Sequence, residues 1–147
     1  MGKYSEKAVY NFRLGYNCAQ SVFLAFAEDL CIDKDTALRL SSSFGAGMGR
    51  LREVCGAVSS MFAVAGLKYG YTSYNDDDIK AKHYELIQSL ADKFKSEFST
   101  IICRELLNLP EGADTPVPSV RTEEYYQTRP CENCIRFASE IIEKELL

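Results

Sequence analysis

Residues 17–30, NCAQSVFLAFAEDL, place apolar side chains at Cys18, Val22, Phe23, Phe26 and Leu30. These recur at the intervals of one helix face, which predicts an amphipathic helix. Gly15 separates this run from a shorter helical one over Tyr4 to Leu14. The same period continues downstream. Asp33 is placed to cap a helix over Lys34 to Ser43, which a run of glycines ends. A further helix is expected from about Arg52 to Tyr69, stopped by Gly70. Its small residues, among them Gly56, Ala57, Ser60 and Ala63, would admit a neighbouring helix closely and mark it as the central one. Asn75-Asp76-Asp77-Asp78 suits the start of the next helix, because carboxylates there oppose the positive end of the helix dipole. Ile79, His83, Leu86, Ile87, Leu90, Phe94 and Phe98 form its apolar stripe. Ser99 or Thr100 can cap a short helix carrying Ile102, Cys103, Leu106 and Leu107, and a last helix runs from Cys131 to Leu147. Pro110 to Pro130 is the one long irregular segment, of a length that suggests a functional excursion or a lid. No stretch alternates with period two. The fold class predicted is all-α: a single-domain helical bundle of about six helices, with a long irregular segment before the last one.

A chain of 147 residues with 46% hydrophobic content is the size of one domain, taken as residues 1–147, with its own core. Its net charge of −4, with lysines and arginines dispersed among carboxylates, excludes a basic nucleic-acid surface. The charged start MGKYSEKAVYNFRLGYN has no apolar signal region, and Glu6 breaks the myristoylation pattern. The longest apolar-rich run, Val54 to Leu67, is too short to span a bilayer. A soluble, cytoplasmic protein without a membrane anchor is expected.

Six cysteines stand at positions 18, 31, 55, 103, 131 and 134. A reduced domain of this size needs no structural disulfides, so repeated cysteine points to redox or metal chemistry. The segment SFGAGMGRLREVCGA, Ser43 to Ala57, lacks the Lys-Ser/Thr of a phosphate loop and the preceding strand of a dinucleotide fingerprint. Its glycines, followed by a helix start, would instead bring backbone N–H groups near Cys55. Arg52 is expected on the same helix face, three residues earlier. Both features lower a thiol pKa, which makes Cys55 a candidate nucleophile or metal ligand.

Pro130-Cys131-Glu132-Asn133-Cys134 is a C-x-x-C at a helix start. Such thiols can close a disulfide, the first aided by the helix dipole, or supply two ligands to zinc or an iron-sulfur cluster. A zinc ribbon pairs two such knuckles, and a thioredoxin-like motif needs a βαβ context; neither is present. Cys131 and Cys134 join Cys55 as candidate catalytic thiols. Cys18 and Cys103 lie on apolar helical faces and gain a role only if a bundle brings them to one site. Cys31 reads as a buried small hydrophobe and His83 as a hydrogen-bonded core histidine, while Tyr125 and Tyr126 are candidates for lining a site.

Asn17-Cys18-Ala19-Gln20, a glycine-rich approach to Cys55-Gly56-Ala57, Cys103-Arg104-Glu105-Leu106 and a cysteine opening the last helix form an ordered set over nearly the whole chain. The set resembles the C-GCAxxG-C-C family of redox-active proteins, a family whose activity is inferred from its cysteines. The resemblance places the family's four cysteines on Cys18, Cys55, Cys103 and Cys134, the last because it leads into Ile135-Arg136-Phe137-Ala138. Ser60 stands where the family motif ends in glycine, and Cys31 and Cys131 fall outside the pattern. A related domain carries an iron–sulfur centre in split-Soret cytochrome c. The chain has no C-x-x-C-H, so covalent haem is not implied.

Three functional readings follow. The first is an electron-transfer module in which Cys18, Cys55, Cys103 and Cys134 hold an iron-sulfur cluster of the 2Fe–2S type, with Arg50, Arg52 and Arg104 offsetting its charge. The second is a metal-free thiol–disulfide redox protein, in which Cys55 or Cys131 attacks a disulfide and a neighbouring cysteine resolves the product. The third is a helical ligand-binding or interaction protein whose cysteines mostly fill the core. The partner would be a redox protein or a small-molecule disulfide, and a homo-oligomer is compatible with the pattern. No acid–base pair, nucleophile triad or carboxylate dyad is legible, so the sequence assigns no enzyme reaction.

Overall fold

Every regular element in the computed structural model, which describes residues 2–147, is helical. In order they are α1 (Lys3–Leu14), α2 (Cys18–Ala27), α3 (Lys34–Ser42), α4 (Gly45–Met48), α5 (Gly56–Tyr69), α6 (Asp77–Phe98), α7 (Cys103–Leu106), α8 (Glu123–Thr128) and α9 (Cys131–Leu146). The all-α class is as predicted. Two segments the periodicity does not reveal, α4 and α8, are 4 and 6 residues long, too short to show a period.

The capping of α2 is reciprocal. The Asn17 side chain accepts the Gln20 N–H at 2.9 Å, and the Gln20 side chain accepts the Asn17 N–H at 3.2 Å, which satisfies two donors left free by the helix start. Seven residues of α2 are buried, Ala19, Ser21, Val22, Phe23, Ala25, Phe26 and Ala27. A helix apolar on nearly all sides belongs inside a bundle, and α2 packs on α1, α3, α5 and α9. It shares the enclosed position with α5, which the small residues of α5 had suggested and which packs on α2, α4, α6 and α9. Those small residues do admit close contact: buried Ser60 donates its hydroxyl to the Ala19 carbonyl at 2.7 Å, so the serine at the family's glycine position keeps α5 against α2.

The helix expected from Arg52 begins only at Gly56. Residues preceding it run through left-handed conformations, at Ala46 (φ 55°), Gly47 (φ 68°), Met48 (φ 69°), Gly49 (φ 62°), Arg50 (φ 66°) and Arg52 (φ 61°). Such backbone is costly for residues with a Cβ and recurs where a surrounding structure enforces it. Beyond this run the chain pairs in extended form with the segment before α7. Cys55 N donates to Ile101 O at 2.8 Å, Cys103 N to Glu53 O at 2.6 Å and Arg104 N to Arg52 O at 3.1 Å, around an antiparallel bridge between Val54 and Ile102. The last helix, α9, buries Cys134, Ile135, Ala138, Ser139, Ile141, Ile142 and Leu146 against α1, α2, α5 and α6. Among the described residues no helix is long and apolar enough to cross a membrane.

Candidate functional site

The pairing of residues 52–55 with 101–104 sets Cys55 beside Cys103, and the helix starts bring three more thiols to them. Cys18, Cys55, Cys103, Cys131 and Cys134 all line one cavity of about 270 Å³. Cys18 opens α2, and its sulfur accepts the Ala46 N–H at 3.4 Å. Gly56 makes that position usable, since a Cβ there would stand 2.5 Å from Cys18 Sγ and 2.9 Å from the Phe44 carbonyl oxygen. Gly47 does the same for Cys103, whose Cβ would lie 2.6 Å from an added Cβ. The glycine-rich loop thus serves Cys18 and Cys103 rather than Cys55, as the sequence had suggested.

Cys55 is the N-cap of α5 rather than a residue one turn inside it. The lowered thiol pKa expected from a helix start is not matched there. A hydrogen bond with Cys134 and then burial push its thiol well up, outweighing the Ala57 and Val58 N–H groups that favour the thiolate. Arg52 shares no helix face with it. Only 3% exposed, Arg52 reaches Cys103 instead, with Nη1 3.5 Å from Sγ, while Nη2 lies 3.1 Å from Asp114 Oδ2. Burial raises Cys103 even so, with Arg52 opposing the shift. Cys18 is pushed up to about 12, first by burial and then by Cys55, and Cys131 to about 12 by burial, Cys18, Cys55 and Cys103. Neutral thiols are weak nucleophiles, but they are what a metal group converts to thiolates by displacing protons.

Four guanidinium groups, of Arg50, Arg52, Arg121 and Arg129, line the same cavity, and among the described residues no Asp or Glu does. Asp114 stands behind them, 3.2 Å from Arg50 and 3.1 Å from Arg52. Arg121 donates to the carbonyls of Phe12 and Tyr16 and lies 4.2 Å over the Phe12 ring. Arg129 lies 5.2 Å over the Tyr125 ring. Arg104, expected at the site, turns to Glu53 at 2.6 Å and does not line the cavity. Arg121, Arg129 and Asp114 carry no sequence signal beyond lying in or beside the irregular segment suspected of being a lid. That segment does cover the site: Pro116, Pro118, Ser119 and Arg121 line the cavity, and Arg50 holds the strap through Ser119 Oγ at 3.2 Å and the Thr115 carbonyl.

Tyr125 lines the cavity, while Tyr126 packs on Phe12 edge-on at 5.8 Å and under Arg13 at 3.9 Å. His83 is half-buried beside Tyr71, and its Nδ1 has no hydrogen-bond partner, contrary to the expected hydrogen-bonded core histidine. Cys31 is exposed rather than buried. It sits in a left-handed turn after α2 (φ 59°), between Leu30 and Ile32, which take the inward positions. All six cysteines are free thiols. Among the described residues no three His, Cys, Asp or Glu side chains meet closely enough to hold a single metal ion.

No curated protein and no solved structure matches the chain. A family model described as "Putative redox-active protein (C_GCAxxG_C_C)" matches residues 16–145, a span that takes in all six cysteines and every residue lining the cavity but Phe12. The chain belongs to that family of redox-active proteins.

Proposed function

We propose that the protein is an electron-transfer module whose cavity holds an iron-sulfur cluster of the 2Fe–2S type. Cys18, Cys55 and Cys103 would supply three ligands, and the α9 pair Cys131/Cys134 the fourth, Cys134 being the position given by the family resemblance. The observation that carries this reading is the composition of one cavity: five thiols and four guanidinium groups, with no lining carboxylate among the described residues. A cavity of about 270 Å³ lined by these thiols has room for a group with several metal atoms. Charge supports the same choice. Four guanidinium groups face one carboxylate, Asp114, leaving an excess of three positive charges beside a site that four thiolates would make strongly negative.

When bound, such a cluster accepts and releases one electron. The protein's own part is to hold thiolates on separate elements, to place Arg50, Arg52, Arg121 and Arg129 where negative charge accumulates, and to exclude water with the strap that carries Pro116 and Pro118. A redox protein is the partner this chemistry requires. The test is anaerobic purification followed by reconstitution with iron and sulfide. A brown protein with iron and acid-labile sulfide in equal amounts is expected; a colourless, metal-free product removes the reading.

A second reading is favoured by Cys55 and Cys134 facing one cavity, with Cys134 the strongest influence on the Cys55 thiol. In it, one thiolate attacks a small-molecule disulfide, expelling one substrate thiolate and forming a mixed disulfide. The second protein sulfur then displaces the remaining substrate thiolate, so two protein thiols become a disulfide and the substrate gains two electrons and two protons. Peptide mapping after exposure to such a disulfide should recover a Cys55–Cys134 cross-link; recovery of only free or mixed species removes this alternative.

A further inference from the structure

We propose that residues 113–120 of the strap are a gate over the thiol cavity, latched by Asp114, and that whatever enters the cavity passes beneath them. This rests on the cavity being the working site, which both readings above require. Part of its wall has to move, because Cys55, Cys103 and Cys134 are only 7%, 7% and 2% exposed. Most of that wall is fixed by backbone. α2, α5 and α9 carry their own helical hydrogen bonds, and residues 52–55 are tied to 101–104 by three more.

The strap is built otherwise. No residue from Glu111 to Val120 is buried, and none belongs to the hydrophobic core. Among the described residues a single backbone-to-backbone hydrogen bond joins this stretch to the rest of the chain, from Asp114 N to Arg50 O at 2.9 Å. Behind its first half lies a second cavity, of about 100 Å³, walled by Arg52 and residues 109–114, so close packing does not hold that part either. What holds it is the latch: Arg50 and Arg52 lie 3.2 and 3.1 Å from the Asp114 carboxylate, and Arg50 also donates to Ser119 Oγ at 3.2 Å. A segment with few buried contacts and few backbone hydrogen bonds opens at a fraction of the cost of global unfolding. Its ends suit such a motion. Gly112 (φ 99°) has nothing within 4 Å of an added Cβ, while Arg121 is pinned to the Phe12 and Tyr16 carbonyls.

The test uses the metal-free, reduced protein. Hydrogen exchange of residues 110–122, read by mass spectrometry, is followed beside prolonged alkylation of Cys55 and Cys134, with the exposed Cys31 as internal standard. Cys103 is left out of the readout because it touches Arg52. Asp114→Asn should speed both exchange and alkylation about tenfold, the weight of a lost charge-assisted contact. Ser119→Ala keeps both arginines paired with Asp114 and should speed both about threefold. Val117→Ala, at a side chain 68% exposed and outside the latch, should change neither. In dilute urea the alkylation rates should rise little, as local opening requires. Faster exchange with unchanged thiol rates overturns the proposal, and so does unchanged exchange in Asp114→Asn. Thiol rates that climb steeply with urea assign entry to global unfolding and overturn it as well. Because no cluster is needed, failure of reconstitution removes the cluster reading and leaves the gate to stand or fall by these rates.

Discussion

Gly56 shows how a missing side chain sets a site. Its substitution by alanine would press a methyl group on Cys18 Sγ and on the backbone of Ala19 and Phe44, and the two backbone atoms cannot swing aside. Gly56→Ala should cost about 1–3 kcal/mol in urea denaturation and move Cys18 out of the cavity. Gly66, in the same helix but with nothing within 4 Å of an added Cβ, is the control. Gly66→Ala should gain about 0.5–1 kcal/mol from helix propensity. Cys31 offers a second residue-level test, because it alone among the six thiols is exposed. Brief alkylation of the native protein at neutral pH, mapped by mass spectrometry, should modify Cys31 first, the half-buried Cys18 and Cys131 more slowly, and Cys55, Cys103 and Cys134 only on unfolding. Burial at position 31 was misjudged from sequence for a local reason: one left-handed residue after α2 exchanges the inward side chain from Cys31 to its neighbours.

At the scale of elements, the α2 start combines the capping box with a tie to the next helix, since Asn17 Nδ2 also donates to the Ser42 carbonyl at 3.1 Å. Asn17→Ala should lower stability by about 1–2 kcal/mol in urea denaturation, toward the upper end of cap deletions because both functions go together. The strap is held differently, through charge. The Thr115 N–H and then Arg52 hold the Asp114 carboxyl below its ordinary value of 3.8. A carboxyl whose folded pKa is depressed stabilises above its unfolded pKa, and this support disappears as pH falls through the folded value. Proteolysis of residues 110–122 should therefore stay slow at neutral pH and accelerate below about pH 4, and Asp114→Asn should make it fast already at neutral pH. The long helices were legible because each carries its own period of apolar residues. The segment from Ala46 to Cys55 was not, because its partner lies at residues 101–104. A helix over Arg52 to Cys55 violates no local rule, and only the distant backbone groups of Ile101, Cys103 and Arg104 decide against it. The cavity arginines escaped for the same reason: Arg121 and Arg129 come to the cavity wall through the path of the strap and α8, for which no sequence period exists.

On the scale of the whole molecule, the protein carries a net charge of −4 yet concentrates four guanidinium groups around its thiols. Positive charge beside a redox group favours its reduced form. Arg129, which rests on the Tyr125 ring, can be removed with least disturbance to backbone contacts. If the cavity holds the proposed cluster, Arg129→Gln should leave iron uptake unchanged and make the midpoint potential more negative in protein-film voltammetry; an unchanged potential would separate the arginines from the redox chemistry. The cavity also draws its wall from α2, the loop around α4, the start of α5, α7, the strap and α9, so no fragment of the bundle contains it. That distribution has a consequence for synthesis. While the chain emerges from the ribosome, Cys18, Cys55 and Cys103 exist for an interval before Cys131 and Cys134 have been translated. Until α9 docks, the nascent protein presents an unfinished set of thiols, so delivery of the proposed cluster would have to wait for the last helix.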